Sequence, residues 1–276
     1  MFEFKMYSPC CTWYLEVQTN CPKVIDLIET LFGGFIVLHR PDRNDLQYLS
    51  ISIEKKSDGY IMTGKGKTYR IKNINSVGFY LYAVIDKLVE GNMDDQYCVF
   101  HGGLVVRDNQ AYGIIAPTMT GKSTLIAYLT NTGYSYFSDD YIFVNRHTRT
   151  IEAMPLPISL RTDKIIRDYL SGSKVVGGYN ELKGEVGFLL STGNDIERIR
   201  NQKCMFNTVF FITRASNNCV DRLSNGETYK ELLFNLKNSL NLNNEMDLLR
   251  EMTNDIHGYK LVYKDFDYVT EVMNGL

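Results

Sequence analysis

Three observations in the sequence predict an α/β fold in two parts. Short β-branched and aromatic runs alternate with stretches whose apolar residues recur at helical spacing. An apolar strand, a glycine-containing loop and a helix follow one another at residues 112–130. The texture also changes after the polar run Glu90–Gln96. A small α+β module over residues 1–95 and a larger α/β domain over 96–276 are expected, because strand, glycine loop, helix and strand in that order are the grammar of a nucleotide-binding sheet.

In the first part, residues 12–17 (TWYLEV), 35–39 (FIVLH) and 49–54 (LSISIE) read as strands. PKVIDLIETLF between the first two opens on a proline and reads as a helix ended by Gly33–Gly34. GYIMTGKGKTYRIKN predicts a hairpin turning near Gly64-Lys65-Gly66, and SVGFYLYAVIDKLVEG a helix from an N-cap Ser76 to about Val89. Trp13, Tyr14, Tyr80 and Tyr82 read as aromatic residues for docking a peptide by strand addition, or else as core.

In the second part, CVFHGGLVV and AYGIIA read as strands, KSTLIAYLTNTG as a helix ending at Gly133, and YSYFSDDYIFVN as one further strand. FNTVFFIT at 206–213 has the texture of a buried strand. YKELLFNLKNSL and NEMDLLREMTNDI are amphipathic, and GYKLVYK with DYVTEVMNGL closes on a strand and a helix.

Composition narrows the function. Of 276 residues 44% are hydrophobic, as in a packed globular protein, and 30 basic against 32 acidic side chains leave a net charge of −2. That balance offers no electrostatic footprint for nucleic acid or an anionic membrane. The six cysteines form no C-x-x-C pair and read as reduced thiols. With no signal-like N-terminus and no apolar run long enough to span a bilayer, the expected location is cytoplasmic.

Ala116-Pro117-Thr118-Met119-Thr120-Gly121-Lys122-Ser123 fits the phosphate-binding Walker A pattern, with alanine in place of the first glycine. Such a relaxed pattern arises by chance in roughly one in fifty chains of this size, so context decides. The context is the required one, an apolar strand before (Tyr112–Ile115) and a helix after (Ser123–Thr130). Gly121 lets the amides turn inward, Lys122 supplies a cation for the β- and γ-phosphates, and Ser123 supplies a hydroxyl for Mg²⁺. The loop, with Thr124 behind it, is the expected ATP site.

Asp139-Asp140 interrupts an apolar stretch, where two adjacent carboxylates are costly unless they meet a cation. One suits the magnesium ion, and the other can take the proton of an attacking hydroxyl. A polar strand end is the plain alternative. His101 in VFHGGLV is by default a satisfied core or loop residue.

Cys98-Val99-Phe100-His101-Gly102-Gly103, the loop Ala116–Thr124, Gly133 and Ser138-Asp139-Asp140 together resemble the HPr kinase/phosphorylase superfamily, P-loop kinases distantly like phosphoenolpyruvate carboxykinase. The resemblance spans roughly 96–276. It implies a P-loop kinase domain behind the small α+β module, with ATP and Mg²⁺ as cofactors. It implies that His101 lines the catalytic site, that Asp139 and Ser123 contact the metal, and that Asp140 is the base. Pro155-Leu156-Pro157-Ile158-Ser159-Leu160-Arg161 also resembles a segment of stand-alone relatives that returns beside the nucleotide; Arg161 is then a phosphate contact or a solvated side chain.

The glycine-rich signature of authentic HPr kinase/phosphorylases after the aspartate pair is missing, and the N-terminal module is shorter than theirs. The likeness is instead to small paralogues that phosphorylate a serine of ribosomally made, lasso-type precursor peptides. The expected reaction is γ-phosphoryl transfer to a serine-type hydroxyl of a peptide or protein. Phosphorylation of HPr, and an ATP-binding switch without transfer, are the alternatives. Related enzymes assemble, so a homo-oligomer is compatible. Lys122→Ala or Asp140→Asn is expected to abolish transfer and leave the fold intact.

Overall fold

The computed structural model describes residues 1–170, 173–192, 204–238 and 242–276. Packing divides them into two compact units, the first Met1–Asp94 with the described part of Pro155–Ile196, the second Asp95–Met154 with the described part of Glu197–Leu276. The first unit is therefore discontinuous, and the stretch from Pro155, expected within a single domain 96–276, packs with the N-terminal residues.

The first unit is built on a five-stranded sheet of order β1-β2-β3-β4-β5. Its strands are β1 (Phe2–Tyr7), β2 (Trp13–Thr19), β3 (Gln47–Lys56), β4 (Gly59–Gly64) and β5 (Lys67–Ile71). β2 and β3 run parallel, the other neighbours antiparallel. The β4–β5 turn is the expected one, with Lys65 and Gly66 at φ 47° and 71°, the left-handed pair that a two-residue hairpin requires.

Helix α1 (Pro22–Phe32) buries Val24, Leu27, Ile28, Leu31 and Phe32, one face at 3–4 residue spacing. Each such side chain contributes about 1.5–3 kcal/mol on burial. Gly33–Phe35 then forms a 3₁₀ turn and Ile36 a single bridge to Met6, so FIVLH is not a strand. A glycine pair directly behind a helix favours a tight turn over an extended run. Helix α2 (Ile74–Gly91) starts earlier than expected. Its N-cap is Asn73, whose side chain accepts a hydrogen bond from the Ser76 amide, so Ser76 is a helical residue and not the cap.

A three-stranded antiparallel sheet completes this unit in the order β12 (Ile158–Leu160), β14 (Glu185–Leu190), β13 (Val175–Asn180), with α4 (Lys164–Tyr169) between β12 and β13 in the chain. Trp13 and Tyr14 are 0% and 1% exposed, hence core and not docking residues. Tyr80 and Tyr82 are partly exposed on α2.

The second unit holds a six-stranded sheet of order β16-β17-β15-β8-β7-β9. Its strands are β7 (Gly103–Arg107), β8 (Gln110–Ile115), β9 (Ser135–Ser138), β15 (Thr208–Arg214), β16 (Cys219–Arg222) and β17 (His257–Tyr263). β8, β15 and β17 are parallel, while β7 pairs antiparallel with both β8 and β9. The connection from β8 through helix α3 (Lys122–Asn131) to β9 thus crosses over β7, and α3 packs on all three strands.

A second sheet joins β6 (Tyr97–Phe100), β10 (Ile142–Asn145) and β11 (Ile151–Glu152) in the order β11-β10-β6. Helices α5 (Asn225–Phe234), α6 (Leu242–Met252) and α7 (Phe266–Asn274) complete the unit. The helix expected over 229–240 ends at Phe234, and residues 239–240 lie outside the described residues. YSYFSDDYIFVN proves to be two strands in different sheets, with Asp139 and Asp140 at the bend between them. Phe100, Phe137, Ile142, Phe206 and Val209 lie at the centre of the core that both sheets share. Among the described residues no helix is long and apolar enough to cross a membrane.

Candidate active site

The phosphate-loop residues follow the end of β8. Ala116 is buried, Pro117, Thr118 and Met119 are exposed, and Thr120 turns back so that its hydroxyl donates to the Pro117 carbonyl at 2.6 Å. Met119 and Gly121 have φ of 72° and 93°. Gly121 is the N-cap of α3 and gives no side-chain cap, so the first-turn amides of Lys122, Ser123 and Thr124 have no side chain bound over them. A helix start left in that condition is an anion site.

Lys122 does not extend into solvent. It is 8% exposed, and its Nζ donates to Asp139 Oδ1 and Asp140 Oδ1, each at 3.0 Å, and to the Asp139 carbonyl. The bend between β9 and β10 makes this possible, because side chains at adjacent positions of a continuous strand would point to opposite faces. The glycines of HGG allow the close approach. A Cβ on Gly103 would stand 2.8 Å from the Ile126 side chain of α3 and 3.3 Å from the Asp139 carbonyl.

The two carboxylates differ. Asp139 is 3% exposed, and its Oδ2 is buried without a hydrogen-bond partner. Burial raises its pKa against the opposing pull of Lys122, and the nearby Ser123 hydroxyl also favours the anion. Asp140, with a side chain 32% exposed, is penalised by burial too, but the charge and hydrogen bond of Lys122 outweigh this and leave its pKa lowered. Burial likewise opposes the charge on Lys122, and the aspartates outweigh it, so its pKa is raised.

His101 joins the group through the pairing of β6 with β10, in which Phe100 stands opposite Ile142. His101 therefore lies beside the start of β10, with Nδ1 3.3 Å from the Asp140 carbonyl and its own amide donating to the Asn235 carbonyl at 2.7 Å. Burial lowers its pKa, Lys122 lowers it further, and Asp140 acts against both.

The structure thus gathers Lys122, Ser123, Asp139, Asp140 and His101 around the start of α3. Arg161 is exposed and belongs to the other unit. Two neighbours were not foreseen. Lys237 is exposed, but its charge acts on both His101 and Asp140. Tyr263, at the end of β17, has a buried, unpartnered hydroxyl 3.5 Å from where a Cβ on Gly121 would stand. Neither lies in a motif, and only the pairing of β17 with β15 and of β15 with β8 brings Tyr263 to the loop.

These residues suit a magnesium nucleotide. Mg²⁺ binds proteins through one or two carboxylates and leaves its other positions to phosphates and water. The unpartnered Oδ2 of Asp139 near the Ser123 hydroxyl is such a donor set. No group of three or more His, Cys, Asp or Glu side chains able to hold a metal occurs among the described residues. A cavity of about 440 Å³ opens beside Ala116 and Pro117, at the carboxyl ends of β8 and β15 and against Phe234 of α5. Ligands of open α/β sheets sit at this end of the strands.

The expectation that losing Lys122 would leave the fold untouched needs correction. Removing one partner of a buried ion pair strands the other, at about 3–5 kcal/mol. Asp140, one-third exposed, is the safer position to neutralise.

No family model matches the chain, and no curated protein does. Among solved structures, the HPr(Ser) kinase/phosphatase from Coxiella burnetii is similar over 64% of this chain and 97% of its own, at 10% identity and a TM-score of 0.29. A similarity of that size assigns neither fold nor activity, and what the chain shows by itself is a mixed α/β protein in which a buried lysine, at the start of the helix behind a glycine loop, is paired with two aspartates.

Proposed function

We propose that the second unit is an ATP-dependent kinase that transfers the γ-phosphoryl group to a serine-type hydroxyl of a peptide or protein. The observation that carries this reading is Lys122, held by Asp139 and Asp140 beside uncapped helix amides. A solvated lysine at a helix start needs no such partners. A plain nucleotide-binding switch has little use for a second, part-exposed carboxylate.

The amides of Gly121–Thr124 would hold the β-phosphate, and Lys122, exchanging its carboxylate partners for phosphate oxygens, would bridge the β- and γ-phosphates. Ser123 and Asp139 would hold Mg²⁺, which when bound neutralises charge on the β- and γ-oxygens. The acceptor oxygen attacks the γ-phosphorus in line, the bond to the β–γ bridging oxygen breaks, and that oxygen leaves with ADP. Asp140 accepts the hydroxyl proton. It is the less basic of the pair, but accessibility comes before basicity in choosing a base. His101, kept neutral, orients Asp140 or the acceptor.

The test incubates the protein with Mg²⁺ and γ-labelled ATP, with HPr, a serine-ended lasso-type precursor peptide or free serine in separate reactions. Transfer to the peptide is expected, together with at least a hundredfold loss in Asp140→Asn, whose melting temperature should fall by less than that of Lys122→Ala because Asp139 still faces the lysine. Lys122→Ala should lose both transfer and several degrees of stability. Transfer to HPr would move the assignment to carbon regulation. ATP binding without transfer to any acceptor would refute the kinase reading in favour of a switch. The same reading makes the protein independent of nucleic acid and membranes and leaves self-association open.

A further inference from the structure

The first unit carries a cavity that phosphoryl transfer does not use. It measures about 450 Å³ and lies between the sheet face at the β4–β5 hairpin end and the last turns of α2. Ile51 pairs with Gly64, Gly64 with Lys67, and Met62 with Tyr69, so these residues and Leu49 share one face of the sheet. Leu49, Ile51 and Met62 make an apolar floor on that face, and Leu88 closes it from α2; all four are buried.

The rim has the opposite character. Lys65 lies in the hairpin turn, Lys67 directly follows it and Lys87 stands on α2, all three exposed. No acidic residue lines the cavity, and none of the three lysines forms an ion pair among the described residues. In a protein of net charge −2 this is a local concentration of uncompensated positive charge above an apolar surface. Such a rim attracts anions, and the cavity is of the size that binding sites have. Gln47, also at the rim, offers an amide that can both donate and accept, as a peptide backbone requires and a simple fatty acid does not.

We infer that this cavity docks an acidic segment of the peptide or protein substrate, with apolar side chains on the Leu49–Met62 floor and carboxylates against Lys65, Lys67 and Lys87. This rests on the peptide-acceptor reading of the second unit. Apolar burial supplies affinity, and the lysines select sign and make binding salt-dependent.

The experiment measures fluorescence anisotropy of a fluorescein-labelled heptapeptide alternating glutamate with leucine, added to the full chain. Wild type should bind it, more weakly as salt rises. The triple variant Lys65→Glu, Lys67→Glu, Lys87→Glu should bind at least tenfold more weakly, with wild-type melting and ATP binding. Val84→Trp, which fills the cavity from α2, should weaken binding by a similar factor. Asp140→Asn, silent in transfer, should bind the peptide as wild type does, so docking and phosphoryl transfer can fail separately. Equal binding of a lysine–leucine heptapeptide, indifference to the charge reversals, or stronger binding of decanoate than of the acidic peptide would each overturn the inference.

Discussion

His101 responds to Lys122, Asp140 and Lys237, and its titration is the most direct check on the arrangement. Burial, then Lys122, then Lys237 lower its pKa below the ordinary 6.5, and only Asp140 raises it. The folded state therefore favours neutral imidazole. The stability this contributes is present above about pH 6.5 and is lost as the pH falls through the lowered folded value. In an NMR titration of the four histidines, His101 should have a midpoint below 6.5. Asp140→Asn removes the one opposing charge and should depress that midpoint further. An upward shift on that substitution would mean that the carboxylate does not face the ring. The residue pattern alone did not make this histidine a site member. Its place depends on β6 pairing with β10, a contact between residues 42 apart that no local spacing encodes.

Among the elements, the phosphate loop is the one whose conformation matters most. Gly121 at φ 93° is in the left-handed region, and a Cβ there meets only the Tyr263 hydroxyl at 3.5 Å, an ordinary contact. Gly121→Ala should therefore fit sterically and cost about 1–2 kcal/mol in backbone conformation. Its main effect should fall on the ligand. ATP binding measured by calorimetry should weaken at least tenfold, while the melting temperature drops by a few degrees. Unchanged ATP affinity would show that these amides do not hold phosphate. This loop was legible because glycine punctuation, an apolar strand and a helix start are local signals. So were α1, with its proline start and apolar face, and the Lys65–Gly66 hairpin. FIVLH was misread because apolar content without its turn context does not separate a strand from a 3₁₀ turn and an irregular segment. The aspartate bend was hidden for a related reason: a continuous apolar texture in YSYFSDDYIFVN does not reveal that β9 and β10 enter different sheets.

For the chain as a whole, the change of texture near residue 95 was visible, but the return of the chain to the first unit was not, since apolar strands after Pro155 fit any sheet. The bonds that define the return are specific. The Asn75 side chain donates to the Gly177 carbonyl at 2.6 Å, the Ser76 hydroxyl to the Tyr179 carbonyl at 3.0 Å, and the Ser191 hydroxyl to the Thr30 carbonyl at 2.6 Å. A Cβ on Gly78 of α2 would stand 3.1 Å from Leu31, 3.5 Å from Leu27 and 3.7 Å from Leu189 of β14, so β14 helps to cover the helix. Each hydrogen bond contributes about 1 kcal/mol net, so the three together supply about 3 kcal/mol, a sizeable fraction of the roughly 5–15 kcal/mol by which domains are stable. A fragment ending at Asp94 loses all of these contacts and exposes the face of α2 that meets β13 and β14. It should give poor amide dispersion and no cooperative urea transition. The same fragment joined through a flexible linker to residues 155–192 should recover both. Cooperative unfolding of the 1–94 fragment alone would make the second segment an appendage to a self-sufficient module, and the first unit would then be continuous in the sense its sequence suggests.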